Sequence, residues 1–169
     1  MNYFELFDIP VQLKVDALSL HKKFIELSKK YHPDYFVSEG IEKQSESLER
    51  SASLNKAYKV FKNPDETIKY VLQLKGLLEE EEKYQLPQAF LMEMMEINEE
   101  LAASQDETAR ANLQSSIDKI QTEIYEPVKK IIEHYQEGIS SEKELLQVKE
   151  YYFKKKYLNR IRQQLAGKP

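Results

Sequence analysis

Apolar residues recur at spacings of three and four along most of the chain, which is the period of one face of an α-helix. The first such stretch follows Asp16, a suitable N-cap residue, and its apolar residues are Ala17, Leu20, Phe24, Leu27 and Tyr31. It should end at His32-Pro33, because a residue before proline disfavours helical backbone. After a loop over 34–40, a second helix is predicted from about Ile41 to Lys62. Its apolar side comprises Leu48, Leu54, Ala57, Tyr58 and Phe61.

The next helix boundary is marked by three residues. Asn63 can cap, Pro64 suits the first helical position, and Glu66 completes the pattern of a capping box. A short helix should therefore run through Lys75, and Gly76 suits the position just after its end. Four consecutive acids follow at 79–82, and we interpret 76–86 as a linker.

Beyond Pro87 the pattern predicts three longer helices, over 87–103, 105–137 and 141–166. Capping boxes mark two of their starts, namely Ser104 with Glu107 and Ser141 with Glu144. Pro127 should kink the middle helix. Short connections make successive helices antiparallel neighbours, so the second half is predicted to be a three-helix bundle. No strand-like alternation is present, and the whole chain is predicted to be all-α.

Composition narrows the possible functions. The chain has 169 residues, enough for two small domains, and no cysteine, which excludes disulfides, thiolate metal sites and Cys nucleophiles. No apolar run approaches the length of a membrane span, and the N-terminus lacks the pattern of a signal peptide. We therefore expect a cytoplasmic protein. With 25 basic and 29 acidic residues, it is not a simple polycation that coats nucleic acid.

The first long helix carries a basic side that leads to a conspicuous tripeptide. Opposite its apolar residues lie four lysines, Lys22, Lys23, Lys29 and Lys30. The helix then runs into His32-Pro33-Asp34. A basic helix face that leads into an exposed polar loop suits the docking of an acidic partner.

These features resemble a J-domain. The resemblance rests on a short first helix with Tyr3, Phe4 and Leu6, the basic helix, the His-Pro-Asp tripeptide, the run 55–58 (Asn-Lys-Ala-Tyr), and Asn63-Pro64. J-domains are helical hairpins that stimulate ATP hydrolysis by DnaK-type chaperones. The resemblance implies that His32, Pro33 and Asp34 form the stimulating loop and that Lys22, Lys23, Lys29 and Lys30 dock on the chaperone.

The full length resembles the HscB family, the J-type co-chaperones of iron–sulfur cluster assembly. The opening 3–7 (Tyr-Phe-Glu-Leu-Phe) and the segment 89–93 (Ala-Phe-Leu-Met-Glu) are typical of that family. The resemblance implies a J-domain over 1–75, the linker 76–86 and a scaffold-binding three-helix bundle over 87–169. It further implies that the bundle binds an IscU-type scaffold protein and delivers it to an HscA-type chaperone.

The scaffold site rests on a methionine-rich stripe. Leu91, Met92 and Met95 lie at helical spacing beside Glu96 and Glu99. By pattern alone such a stripe is more often bundle core than binding surface. The family resemblance implies the opposite, with Phe153 of the last helix as an accompanying aromatic. The family often has a further acid where this chain has Ala103.

Three other functions compete with this interpretation. An enzyme could use His32 with Asp34, but no suitably placed nucleophile and no Gly-rich phosphate loop accompany them. A nucleic-acid binder could use the basic and aromatic stretch 149–157. A general J-domain co-chaperone or helical adaptor with a different client is the third alternative. We expect no cofactor, no metal site and no enzymatic activity, and self-association stays open.

Overall fold

The computed structural model describes residues 1–167, which contain eight α-helices. In chain order these are α1 Tyr3–Phe7, α2 Ala17–Lys30, α3 Ile41–Lys62, α4 Pro64–Leu74, α5 Gln88–Ala103, α6 Glu107–Tyr125, α7 Lys129–His134 and α8 Glu142–Leu165. Within residues 1–167 there is no β-strand, and no helix is long and apolar enough to cross a membrane. The chain divides into two compact units. The first comprises Met1–Lys75 and Glu133–Ile139, and the second comprises Gly76–Ile132 and the chain from Ser140 onward.

Aromatic rings hold helices α1, α3 and α4 together in the first unit. The rings of Phe4 and Phe61 lie 4.7 Å apart, and Phe7 meets Phe61 edge-on at 5.5 Å. Tyr3 stacks on Tyr70 at 4.7 Å, and the Tyr3 backbone N–H donates to the Tyr70 hydroxyl at 2.9 Å. Helix α1 has only five residues, too few to be stable alone, so the burial of Phe4 and Phe7 is what maintains it.

Helix α2 has the predicted start and end. The Asp16 carboxylate accepts a hydrogen bond from the Ser19 N–H at 2.9 Å, and the last helical residue is Lys30. The ring of Phe24 stacks on that of Tyr58 in α3, with centroids 4.1 Å apart. The loop predicted over 34–40 is wrong, because Pro33–Glu39 forms a 3₁₀ helix. The ring of Pro33 fixes a backbone angle that suits the first turn of a helix. The N–H that proline lacks would have no partner within the helix at this position.

Helix α3 spans the predicted residues, but the residues that it buries differ in part from those predicted. Leu54, Ala57 and Phe61 are buried as expected. Leu48 was expected among them and is 60% exposed, so this prediction is wrong. The buried position in that turn is Ser47, two helical turns before Leu54, and its hydroxyl donates to the Gln44 carbonyl at 2.9 Å.

Asn63 caps helix α4, as the sequence predicts. Its side-chain oxygen accepts hydrogen bonds from the Asp65 and Glu66 N–H groups at 3.0 and 3.2 Å. The reciprocal half of the capping box is not formed, because the Asn63 N–H donates to the Val60 carbonyl at 3.1 Å instead. Gly76 follows the helix with φ +71°, a conformation that favours glycine.

A segment from the second half of the sequence, residues 133–139, belongs to the first unit. Tyr135 is buried there, and its hydroxyl donates to Glu137 Oε2 at 2.9 Å. Glu137 also forms an ion pair with Lys75 at the end of α4. This discontinuity could not be predicted from the sequence, because helical periodicity does not reveal which surface a turn contacts.

The second unit is a helical bundle built from α5, α6 and α8. Its core residues are Phe90, Met94, Ile97, Leu113, Ile117, Ile120, Leu158, Ile161 and Leu165. Helices α6 and α8 are antiparallel, since Arg110 Nη2 contacts the Leu165 carbonyl at 2.5 Å while Arg162 Nη2 contacts Asp118 at 2.8 Å. The Arg162 contact lowers the pKa of the Asp118 carboxyl.

The middle predicted helix is interrupted rather than kinked. Helix α6 ends at Tyr125, a 3₁₀ turn spans Glu126–Val128 around Pro127, and α7 follows. The capping box predicted at Ser104 is wrong, because Asp106 caps α6 by accepting from the Ala109 N–H at 2.8 Å. The box of Ser141 with Glu144 at the start of α8 is confirmed in both directions.

Candidate functional site

The His-Pro-Asp tripeptide follows the end of α2 and begins the 3₁₀ helix. His32 Nδ1 accepts a hydrogen bond from the Asp34 N–H at 3.3 Å and lies 3.6 Å from the Asp34 carboxylate. The Tyr35 N–H donates to the His32 carbonyl at 3.0 Å. The side chains of His32 and Asp34 are 55% and 84% exposed. The tripeptide is thus held by local bonds while its polar atoms remain accessible to a partner.

Helix α3 fixes the residue that precedes this tripeptide. The Ser51 hydroxyl donates to the Tyr31 carbonyl at 2.9 Å, and the Arg50 guanidinium lies 4.7 Å from the centre of the Tyr31 ring. Sequence reasoning missed both residues. Twenty positions separate Ser51 from Tyr31, and only the hairpin of α2 and α3 brings them together.

Removal of the Ser51 hydroxyl should destabilise this hairpin. In Ser51→Ala the Tyr31 carbonyl loses its donor, and we expect a loss of about 1 kcal/mol in unfolding free energy relative to Ser53→Ala. Ser53 is a matched control in the same helix, because no hydrogen bond to its hydroxyl exists among the described residues. Urea denaturation of both variants measures the difference. Equal stabilities would show that the Ser51 bond contributes nothing.

The four predicted docking lysines line one side of α2. Lys22 and Lys29, like Lys23 and Lys30, are seven residues apart and therefore lie on common stripes that lead toward His32. Three are exposed and Lys23 is half-buried. Among residues 1–167 none of the four has a carboxylate partner, so their charges are available to an acidic surface. Lys29 and Lys30 also complement the negative end of the helix dipole.

Helix α5 separates its methionines between two faces. Phe90, Met94 and Ile97 are buried in the bundle core. Met92 and Met95 are 59% and 61% exposed, and the interpretation of these two residues as core is therefore wrong. Three other predicted residues accompany them: Leu91 is half-buried, and Glu96 and Glu99 are exposed. We call Leu91, Met92, Met95, Glu96 and Glu99 the α5 strip.

Phe153 of α8 is close to the start of α5 but covered. The ring of Tyr157, one turn further along α8, lies 6.3 Å from the Phe90 ring, and its hydroxyl is 3.4 Å from Asn98 Nδ2. Lys154 Nζ, three residues before Tyr157, lies 5.6 Å from the centre of the Phe90 ring, so α8 and α5 run parallel and Phe153 lies near the start of α5. Its side chain is only 9% exposed, because Tyr84 stacks flat upon it with ring centroids 4.6 Å apart.

The segment proposed as a linker, 76–86, is anchored within the second unit. Leu78 is buried, and Lys149 Nζ lies 2.7 Å from a Glu82 carboxylate oxygen. This hydrogen bond holds the pKa of the Glu82 carboxyl below its usual range. Burial raises the pKa of the Tyr84 phenol, and the charges of Glu150 and Glu82 act in the same direction. Residues 79–86 of this segment thus form an ordered strap along α8.

No metal centre is formed within residues 1–167, because no three His, Asp or Glu side chains there are grouped to hold an ion. His32 and Asp34 are both strongly exposed, whereas general acid–base pairs usually lie in a cleft. The tripeptide therefore lacks the enclosed setting in which such pairs usually act.

Comparison with known proteins agrees with this arrangement. Residues 86–166 match the family described as the HSCB C-terminal oligomerisation domain. The co-chaperone protein HscB homologs of Vibrio parahaemolyticus and Vibrio vulnificus are each 36% identical over 125 residues, which cover 71% of this chain and 73% of each relative.

Two solved structures are similar over nearly the whole chain. Chaperone HscB from Vibrio cholerae has a TM-score of 0.73 at 27% identity, covering 98% of this chain and 96% of that one. The human co-chaperone protein HscB has a TM-score of 0.81 at 28% identity, covering 98% of this chain and 81% of that one.

A helical hairpin with an exposed His-Pro-Asp tripeptide, followed by a helical bundle, defines a J-domain co-chaperone. The chain belongs to the HscB family of co-chaperones. The predicted all-α fold, with an N-terminal J-domain and a C-terminal helical bundle, is confirmed.

Proposed function

We propose that this protein stimulates the ATPase of a DnaK/HscA-type chaperone and delivers an IscU-type scaffold protein to it, which aids the maturation and transfer of iron–sulfur clusters. The observation that carries the proposal is the exposed His-Pro-Asp tripeptide in a chain of the HscB family. It follows helix α2, whose four docking lysines have no carboxylate partner among residues 1–167. The protein itself acts as a co-chaperone and not as an enzyme.

The proposed contact with the chaperone, which we call the chaperone arm, depends on shape and charge. Lys22, Lys29 and Lys30 are exposed and steer α2 toward an acidic surface of the ATPase domain. Asp34 then offers an 84% exposed carboxylate for a charge-assisted hydrogen bond with a chaperone arginine. The local hydrogen bonds of His32 and the fixed ring of Pro33 limit the entropy that the loop loses on binding.

The proposed contact with the scaffold protein, which we call the scaffold arm, depends on the α5 strip. Two flexible methionines that are about 60% exposed offer adaptable apolar contacts, and Glu96 and Glu99 provide an acidic edge. A partner with an apolar centre and a basic rim fits this surface. Because the chain has no cysteine, an iron–sulfur cluster would remain bound by the partner's own ligands.

One chain that carries both arms raises the effective concentration of scaffold at the chaperone. The test is ATP turnover by the chaperone with this protein alone, with the scaffold alone and with both together. We expect each to stimulate turnover and the pair to exceed the sum of the two. A merely additive result would refute delivery, and no stimulation by this protein would refute the J-domain function.

The nucleic-acid alternative receives little support from the geometry of α8. Tyr151, Tyr152 and Phe153 are each less than a tenth exposed and offer no platform on which bases could stack. A general J-domain co-chaperone would stimulate the chaperone equally with unrelated clients. Replacement of the scaffold by an unrelated unfolded polypeptide in the same turnover assay distinguishes this alternative.

The lysines of α2 should control docking on the chaperone. We expect Lys29→Gln with Lys30→Gln to raise the concentration of protein needed for half-maximal ATPase stimulation by about tenfold at low salt, and less at high salt, because rim charges act mainly through steering. Lys129→Gln with Lys130→Gln is the matched control, since these adjacent lysines are also exposed but lie on α7. Equal effects of both pairs would show that only net charge matters.

A further inference from the structure

Residues 79–86 form a non-helical strap that follows α8 toward the start of α5. Glu82 pairs with Lys149 at 2.7 Å, and two residues later Tyr84 stacks on Phe153, one turn further along α8. Lys149 Nζ also lies 5.7 Å from the centre of the Tyr84 ring. An ion pair, a cation–π contact and a ring stack therefore hold Tyr84 in one position.

Tyr84 covers the aromatic residue of the candidate scaffold site. The resemblance assigns an aromatic contact to Phe153, yet the face of this ring is covered by Tyr84 at an interplanar angle of 1°. Tyr84 itself is half-buried, and no described residue forms a hydrogen bond with its hydroxyl. A partner that approaches this side of α8 therefore meets the outer face and the hydroxyl of Tyr84 before it meets Phe153.

Tyr84 lies near the level at which the α5 strip begins. Phe153 is near the level of the start of α5, because the adjacent Lys154 lies over the Phe90 ring while Tyr157 reaches Asn98 further along α5. Because Tyr84 stacks on Phe153, it occupies the same level as Leu91. Met92 and Met95 follow within about 6 Å along the helix axis, at 1.5 Å per residue. Tyr84 and the α5 strip thus lie at similar levels along the same bundle.

We propose that Tyr84 is the aromatic residue with which the bundle contacts the scaffold protein, and that Phe153 is the ring that supports it. This inference rests on the proposed scaffold-binding function. Tyrosine suits the task, because it combines a large apolar face with a hydroxyl and loses little conformational entropy when it is already fixed. The ion pair of Glu82 with Lys149 positions the strap and contributes indirectly.

Calorimetry of scaffold binding tests the proposal with paired substitutions. We expect Tyr84→Ala to weaken the affinity about tenfold or more, as for a central aromatic contact, whereas Tyr84→Phe retains it within about threefold. Tyr35→Ala is the matched control, because Tyr35 is 66% exposed but lies in the J-domain. Thermal unfolding of every variant shows whether the fold is kept.

A second measurement detects contact independently of affinity. The chain has no tryptophan, so Tyr84→Trp introduces a single fluorophore that can still stack on Phe153. We expect its emission to shift to shorter wavelength when a tryptophan-free scaffold is added, because the indole becomes shielded from water. An unchanged spectrum at saturation would overturn the proposal even if Tyr84→Ala failed to fold.

The outcomes separate this inference from the function on which it rests. If wild type binds the scaffold and Met95→Ala weakens binding, but Tyr84→Ala binds like wild type, the assignment of Tyr84 is wrong and the scaffold function stands. If wild type does not bind the scaffold at all, the proposed function fails and the inference fails with it.

Discussion

Replacement of His32 by glutamine is expected to reduce the stimulation of chaperone ATPase at least about tenfold while scaffold affinity stays unchanged. The imidazole has a specific local role, since His32 Nδ1 accepts the Asp34 N–H and lies 3.6 Å from the Asp34 carboxylate. In the neutral ring that accepts this bond, Nε2 carries the proton and points away as a donor. Glutamine has no rigid ring that can accept at one end and donate at the other, so both the loop and its contact with the chaperone are impaired.

The assay for this prediction is single-turnover ATP hydrolysis by the chaperone over a range of co-chaperone concentrations. His32 is 55% exposed and outside the core, so stability should change by no more than about 0.5 kcal/mol. His134→Gln provides the control, because His134 is an exposed histidine on α7. Stimulation by His32→Gln equal to that by His134→Gln would refute the J-domain mechanism.

The second large effect is expected on the scaffold arm. Met92→Ala combined with Met95→Ala should weaken scaffold binding by about a hundredfold, if each truncation costs about 1.4 kcal/mol as interface anchors commonly do. Both side chains are about 60% exposed in the free protein, so their truncation removes contacts with the partner rather than core packing. Phe153 is unsuitable for this test, because it is buried beneath Tyr84.

Calorimetric titration of the scaffold measures this effect, and Leu48→Ala is its control. Leu48 is an apolar residue of equal exposure, 60%, that lies on α3 of the J-domain. Residues 86–166 match a family described as an oligomerisation domain. Sedimentation of wild type and the double variant should therefore accompany the titration. Unchanged scaffold affinity together with a lower association state would assign the α5 strip to a second copy of this chain.

Much of the fold could be predicted because the responsible physics is local. Asp16, Asn63 and Ser141 cap helices through hydrogen bonds to residues two or three positions away, which the sequence displays directly. The errors arise where two local signals compete. Asp106 caps α6 although Ser104 completes a capping pattern, because Ser104 instead donates to the Glu100 carbonyl at 2.6 Å at the end of α5.

The candidate site was accessible to sequence reasoning only in part. The His-Pro-Asp tripeptide and the basic side of α2 can be seen in the sequence, because a short motif and a helical wheel define them. The exposure of Met92 and Met95 cannot be inferred from spacing, since Met94 between them is buried. The cover over Phe153 and the bond from Ser51 to Tyr31 depend on tertiary contacts between distant residues.

The discontinuity of the first unit has a consequence for any attempt to isolate it. The chain passes from one unit to the other three times, after Lys75, after Ile132 and after Ile139. A fragment that stops at Lys75 would lack Glu137, the ion-pair partner of its last residue, and the buried ring of Tyr135. Dissection at the obvious boundary would thus divide a compact unit, and intact chains with single substitutions are the sound way to assign each activity.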